Sequence, residues 1–229
     1  MQLKHWDELP ACMKNDDVRG YYDILSQKTL ALALKRQFDI IMAVAGLALL
    51  LPVFIMLAIL IKLDSEGPVL FRQVRVTQYG RQFRIYKFRT MVRHAERLGT
   101  QVTTRGDARV TRAGKLLRKF RLDELPQLFN ILLGDMAFVG TRPEVPRYVA
   151  KYSDKMMATL LLPAGVTSEA SICYRDEEQL LSDARDADAT YVDRILPEKM
   201  RYNLEAIRRF SAAYELDIMS KTILAVLRK

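Results

Sequence analysis

Histidine and cysteine are scarce: the 229 residues contain two of each. His5 and His94 are too few for a histidine-rich metal centre. Cys12 and Cys173 stand far apart with no motif around either, which excludes a disulfide framework and reads as free thiols in a reducing compartment. There is no G-x-x-x-x-G-K-S/T loop and no G-x-G-x-x-G fingerprint, so the two commonest glycine-built phosphate sites are excluded. Internal repeats are lacking. No cleavable signal peptide is expected, because the apolar run begins too late and no A-x-A-like site follows it. Acidic residues are outnumbered, 27 Asp and Glu against 36 Lys and Arg, leaving a net charge of +9. Such a surface attracts phosphates, whether in nucleic acid, anionic lipid or nucleotide.

What is present begins with an apolar stretch, Phe38 to Lys62, with Pro52 in its middle. It is long enough to cross a hydrocarbon core of ~30 Å. Pro52 has no amide hydrogen and clashes with the carbonyl of Ala48, so the spacing predicts one helix from about Leu30 to Leu51 and a shorter piece from Pro52. Lys35 and Arg36 precede the stretch, and Lys62, Arg72 and Arg75 follow it, so both ends carry the basic residues of a cytoplasmic flank. Those features fit a re-entrant segment that enters and leaves by one face. They equally fit a single-pass helix with a proline kink. Asp39 lies at the membrane boundary, spaced to pair with Lys35 or Arg36.

Around this stretch the chain divides into an arm (1–29), the membrane helix (30–62) and a cytosolic or interfacial body (63–229). The arm is expected to hold a short helix or to dock loosely. VLFRQVRV and QFRIYKFRT read as two strands around a Gly80 turn. MVRHAERL reads as a short helix. Another spans Gly114 to Phe120, and a further one is marked by Leu125, Leu128, Phe129 and Leu132, with Pro126 at its start and Gly134 at its stop. MAFVGTRPEVPRY reads as an irregular link and Ala170 to Tyr174 as a short strand. The last thirty residues form one or two amphipathic basic helices on which Leu204, Ile207, Tyr214, Ile218, Ile223, Leu224 and Leu227 share a side. The fold class is α/β, mainly α.

Asp123 and Glu124 are the sharpest local signal. Carboxylates at a helix start are ordinary caps. The same placement lets a carboxylate bind Mg²⁺ or attack phosphorus. Arg118 and Lys119 one turn earlier, and Arg142 in a Gly/Pro-rich loop, are suited to oppose a phosphate. The Arg- and aromatic-rich strands suit nucleic acid, a membrane interface or half of a phosphate site. Asp186-Ala187-Asp188 matches a short D-x-D metal motif but sits in an acidic run that reads as a solvated face.

Taken together, KRQFDI, GPVLFRQVRV, YKFRTM, LRKFRLDELPQLFNILLGDMAFVGTRPE and the tail from ILPEKM to KTI resemble the bacterial sugar transferase family. These are monotopic phosphoglycosyl transferases that begin capsule, O-antigen or glycoprotein glycan assembly. The resemblance runs from about Lys35 onward, to the small, catalytic-domain-only form. It implies transfer of a phosphosugar from a UDP-sugar to a polyprenyl phosphate such as undecaprenyl phosphate, with release of UMP. It further implies Asp123 as nucleophile and Mg²⁺ ligand, and Glu124 as base or orienting group for the acceptor. Arg118 and Arg142 match the family's phosphate-holding arginines, with Lys87 and Thr90 in the same cradle. The implied location is the cytoplasmic face of the bacterial inner membrane, against membrane lipid, without nucleic acid; a homo-oligomer is compatible with it. The resemblance selects the re-entrant form, yet Leu51-Pro52 stands where a Ser-Pro pair is common. Ser168-Glu169 stands where many members carry Gly-Trp, which implies a different sugar or uridine pocket. Two other classes compete: a membrane-anchored nucleic-acid-binding protein, motivated by the charge, and a non-catalytic membrane scaffold.

Overall fold

The computed structural model describes residues 3–93, 95, 107–182 and 186–227. Ten α-helices lie among them: α1 (Asp16–Ser26), α2 (Thr29–Asp64), α3 (Arg112–Lys119), α4 (Gln127–Leu133), α5 (Pro146–Val149), α6 (Glu169–Cys173), α7 (Glu177–Ser182), α8 (Ala187–Thr190), α9 (Leu196–Arg208) and α10 (Ala212–Leu227). Strands β1 (Leu70–Val76) and β2 (Gln82–Phe88) form the expected antiparallel hairpin, with Leu70 opposite Phe88 and Val76 opposite Gln82. Its tight connection uses left-handed backbone at Tyr79 and Gly80. Strands β3 (Met136–Val139) and β4 (Ala164–Thr167) pair in parallel.

The helix α2 is one element of 36 residues with Pro52 inside it, not two pieces meeting at the proline. Pro52 removes one hydrogen bond, from the Ala48 carbonyl, without ending the helix. Side chains on both sides of the proline pack on the same body. Ala43, Leu47 and Leu50 join Leu128, Ile131 and Met136. Val53, Phe54, Leu57 and Ile61 join Phe88, Ala113 and Leu117. Polar bonds fasten both ends. Arg36 donates to the carbonyls of Ile131 (2.6 Å) and Leu132 (2.9 Å). At the other end Ala113 N–H donates to Asp64 Oδ2 (3.0 Å), and Arg89 reaches the Ser65 carbonyl. The opposite face presents Leu34, Ile41, Leu49, Leu51, Ile55 and Ile59 outward. A surface apolar over that length marks a face that meets membrane or another apolar surface.

Asp39 pairs with Lys35, at 3.7 Å, and not with Arg36. Lys35 is also bonded to Glu215 Oε2 (2.7 Å) and the Val139 carbonyl (3.1 Å), while Asp39 Oδ1 accepts from Phe138 N–H (3.2 Å). This buried knot joins α2, α10 and β3.

The N-terminal residues are part of the core rather than a loose arm. Asn15 caps α1 by accepting from Val18 N–H (2.9 Å). Met13, Val18 and Leu25 are fully buried against Leu161, Met200 and Ile207. Three local expectations are corrected. The MAFV segment is strand β3, because Gly140 and Gly165 let two backbones approach more closely than any side chain allows. Ala170 to Tyr174 is helix α6 rather than a strand, since Ser168 Oγ accepts from Ser171 N–H (3.0 Å) and starts a helix. The tail's apolar residues do not share one side: Leu204, Ile207, Tyr214 and Ile218 are buried, whereas Ile223 and Leu224 face outward. The helix expected over MVRHAERL lies largely outside the described residues.

Candidate active site

Asp123 and Glu124 sit in a 3₁₀ turn, Leu122–Glu124, between α3 and α4. Arg121, just before them, holds left-handed backbone (φ 56°), so the chain reverses sharply and turns both carboxylates inward. Pro126 and Gly134 bound α4 as expected, Gly134 with φ 82°. Gly114 seats α3 against the end of β2: a methyl there would lie 2.1 Å from the Thr90 carbonyl oxygen. That contact brings Arg118 over Thr90, where its Nε donates to Oγ1 at 3.1 Å.

The two carboxylates are neighbours with different surroundings. Glu124 is gripped by Arg142 (2.6 Å), Lys87 (3.3 Å) and Arg121 (3.6 Å). Burial pushes its carboxyl up, but Arg142 and Lys87 outweigh burial and hold it well below the usual carboxylate range. Arg142 is correspondingly raised, chiefly by Glu124, and Lys87 is lowered by its own burial. Asp123 is buried and makes no ion pair among the described residues. Burial, then the charge of Glu124, pushes its carboxyl up from the ordinary value. A carboxylate so placed is a better nucleophile and a weaker acid than its neighbour, while Glu124 is a poor general base.

The pair opens on a polar cleft of about 510 Å³. Lys87, Arg118, Arg121 and Arg142 line it on one side, with Arg75, Glu144, Tyr148, Tyr191 and Lys199 further in. Of the expected cradle, the structure brings Lys87, Arg118, Arg142 and the carboxylates together; Thr90 sits behind Arg118. Sequence reasoning missed the inner wall. There Tyr191 Oη donates to Glu144 and Lys199 Nζ bonds Glu177 (2.9 Å) and Tyr191 (3.1 Å). Only Glu144 left a trace, two residues beyond Arg142; the others converge from distant elements. The D-x-D segment is structural: Asp186 caps α8 through Ala189 N–H (3.0 Å), and Asp188 accepts from Arg147 and Tyr148, both at 2.6 Å.

A second, apolar groove of about 230 Å³ adjoins the cleft, and Arg121, Glu124, Arg142, Ser171 and Arg175 line both. Among the described residues no cluster of three or more His, Cys, Asp or Glu is arranged to hold a metal.

Comparison with known proteins fits this arrangement. The chain is 39% identical over 197 residues to the UDP-N-acetylgalactosamine-undecaprenyl-phosphate N-acetylgalactosaminephosphotransferase of Aeromonas hydrophila, covering 85% of this chain and 44% of that protein. It is 34% identical over 195 residues to the UDP-glucose:undecaprenyl-phosphate glucose-1-phosphate transferase of Escherichia coli (83% and 39% of the two chains). To the protein of the same name in Xanthomonas campestris it is 36% identical over 194 residues (82% and 38%). The chain thus spans less than half the length of these relatives. The family description "Bacterial sugar transferase" matches residues 30–229, which include α2, the cleft and both carboxylates, and the chain belongs to that family.

Proposed function

We propose that this protein transfers a phosphosugar from a UDP-sugar to a polyprenyl phosphate, releasing UMP, at the start of a bacterial surface glycan. One observation carries the reading: a buried carboxylate, Asp123, with no ion pair among the described residues, faces a cation-lined cleft beside a helix whose outer face is apolar along its length. An oxygen of Asp123 attacks the β-phosphorus of the donor. The bond to the bridging oxygen breaks, and UMP leaves with the electron pair. An oxygen of the acceptor phosphate then attacks the same phosphorus, the bond to Asp123 breaks, and the carboxylate is restored. Splitting the transfer lets a hydrophilic nucleotide and a lipid react in turn. Arg118, Arg142 and Lys87 hold phosphate oxygens and stabilise the charge that develops on them. Glu124, ionised and gripped by three cations, orients Lys87 and Arg142 and does not act as a base.

The donor set suits Mg²⁺, which commonly takes one or two carboxylates together with substrate phosphates. Asp123 is buried without an ion-pair partner among the described residues, so a bound cation would supply a counter-charge there. When bound by Asp123 and the diphosphate, Mg²⁺ would act as a Lewis acid on the phosphoryl oxygens.

The helix α2 is read as re-entrant, at the cytoplasmic face of the inner membrane. Polar bonds from both of its ends to one body support entry and exit on one side.

The direct test incubates the purified protein with Mg²⁺, undecaprenyl phosphate and a panel of UDP-sugars. UMP release is expected, and Asp123→Asn should abolish it. Release that survives this substitution removes Asp123 as nucleophile; no release with any sugar argues against the enzyme itself. For topology, Cys12 and Cys173 are replaced and single cysteines placed at Thr29 and Glu66, both exposed. Labelling from opposite sides of the membrane would restore the single-pass form.

A further inference from the structure

Gln127 opens α4, three residues beyond Glu124, and its side chain is an energetic anomaly. The residue is 1% exposed, and among the described residues neither Oε1 nor Nε2 has a hydrogen-bond partner. An amide buried without partners destabilises a fold, and a leucine of similar size would not. Such a group in a buried position requires a physical reason, and a partner that arrives from outside the chain is one.

Its surroundings say which one. Gln127 lines the apolar groove, with Leu128 and Phe138 on one side and Thr222, Ala225 and Val226 of α10 on the other. Leu128 also rests on α2, where a methyl on Gly46 would lie 3.3 Å from its Cδ1. The groove therefore lies between α4 and α10, with Leu128 joining its wall to the apolar helix, and reaches Glu124 of the active-site pair. Bonds tie its walls together: Thr222 Oγ1 and Thr167 Oγ1 lie 2.7 Å apart, and Arg175 donates to the Ala225 carbonyl at 3.2 Å. Its inner end is cationic, with Arg121, Arg142 and Arg175 on the wall it shares with the polar cleft. One end suits a hydrocarbon chain and the other a phosphate.

We infer that this groove receives the first isoprene units of the acceptor, with the Gln127 amide hydrogen-bonded to its phosphate. The inference rests on the proposed transfer reaction and deepens it. The donor occupies the polar cleft, the acceptor enters through the groove, and the two meet at the wall that carries Glu124 and Arg142. Gln127 keeps its unpartnered amide in the free protein because the partner arrives with the acceptor.

The test uses Gln127→Leu and, as a steric block, Val226→Trp. Two phases are read: UMP formed in a single turnover without acceptor, and consumption of the resulting phosphosugar–protein by undecaprenyl phosphate. Binding of undecaprenyl phosphate in detergent to the Asp123→Asn protein is measured alongside. In Gln127→Leu the thermal midpoint should rise and the UMP burst should persist. The acceptor phase should lose about 10- to 100-fold in kcat/KM, as expected for a lost hydrogen bond to a charged group. Val226→Trp should likewise spare the burst and weaken acceptor binding. An unchanged acceptor phase in Gln127→Leu overturns the inference. So does a burst slowed as much as the acceptor phase, which would tie Gln127 to Asp123 instead. Absence of any UMP burst in the unmodified protein rejects the transfer reaction, whereas the binding measurement still judges the groove.

Discussion

The close approach of β3 and β4 offers a sharp test of how the fold holds its site. A methyl added at Gly165 would lie 2.2, 2.3 and 2.5 Å from the N, O and C atoms of Gly140. Carbon contacts prefer about 3.5–4.0 Å, so the overlap exceeds 1 Å. All three atoms are backbone, and no side chain can swing away. The strands must therefore part, straining two bonds: Gly140 N–H to the Thr167 carbonyl (3.0 Å) and Gly165 N–H to the Thr141 carbonyl (2.8 Å). Two lost bonds at about 1 kcal/mol each and overpacking of about 1–3 kcal/mol give a destabilisation of roughly 3–5 kcal/mol for Gly165→Ala. For a chain of this size that lowers the thermal midpoint by roughly 10 °C. Arg142 follows Thr141 directly, so parting the strands also draws the guanidinium from Glu124, and UMP release should fall in protein that remains folded. Gly20→Ala is the matched control. Gly20 lies within α1 with nothing within 4 Å of the added methyl, and alanine there should stabilise by about 1 kcal/mol. Thermal unfolding in detergent and the UMP assay read both variants. A Gly165→Ala protein as stable and active as the Gly20→Ala protein would refute the reasoning.

Removing Lys35 should be costly, because Lys35→Met leaves Asp39 and Glu215 buried without their cation. About 3–5 kcal/mol should be lost, and Lys35→Met combined with Asp39→Leu and Glu215→Leu should recover most of it in urea unfolding. Three tyrosines give a pH dependence. Burial raises Tyr152 and Tyr191 well above 10, with Glu144 adding to each, and pushes Tyr148 up to about 12 with help from Asp188. Their neutral forms are favoured by folding, so this stability is complete below pH 10, the value in the unfolded chain, and is lost as pH rises through the folded values. Unfolding followed at 295 nm should show the midpoint falling above pH 10, and less steeply in Tyr191→Phe. At the site, Glu124→Gln removes the charge that helps raise Asp123 and leaves Lys87, Arg118 and Arg121 to lower it. Asp123 then ionises at lower pH, so the acidic limb of single-turnover UMP release at fixed Mg²⁺ should move down in pH; a limb that stays or moves up would contradict the assigned electrostatics.

Much of the site is legible in the sequence because it is local. Arg118, Asp123, Glu124 and Arg142 fall within twenty-five residues, and the turn signals Pro126 and Gly134 fix the helix between them. The hairpin is legible through period-two patterning and Gly80, which places Lys87. What was not legible depends on approach in space. Gly140 reads as a glycine of an irregular link, and only its contact with Gly165 shows the two to be the close point of a parallel pair. The Ser168-Glu169 pair reads as a departure in a binding loop. In the fold Ser168 caps α6, and Glu169 accepts from Tyr214 Oη at 3.1 Å, so the pair fastens α6 to α10. Ser171, one turn on, lines both cavities. The pair thus bears on both cavities through the placement of α6.

The same contrast between local and spatial control bears on Leu51-Pro52. A serine before the proline would offer a hydroxyl to the carbonyls that the ring leaves without a donor. Leucine offers none and points outward, 57% exposed. The direction of the following half must then come from what it packs on. Phe54, half a turn beyond the proline, has its ring 5.4 Å from Phe88 and 6.1 Å edge-on from Phe129. Phe88 ends the strand that carries Lys87, and Phe129 lies on α4, the helix that follows Asp123 and Glu124. Aromatic contacts of this kind contribute about 0.5–1.5 kcal/mol each beyond burial, comparable to one side-chain cap. Packing therefore replaces the missing hydroxyl. It also couples the path of the helix beyond Pro52 to the strand that carries Lys87 and the helix that follows Asp123 and Glu124, so the course of α2 and the placement of the carboxylate pair are set together.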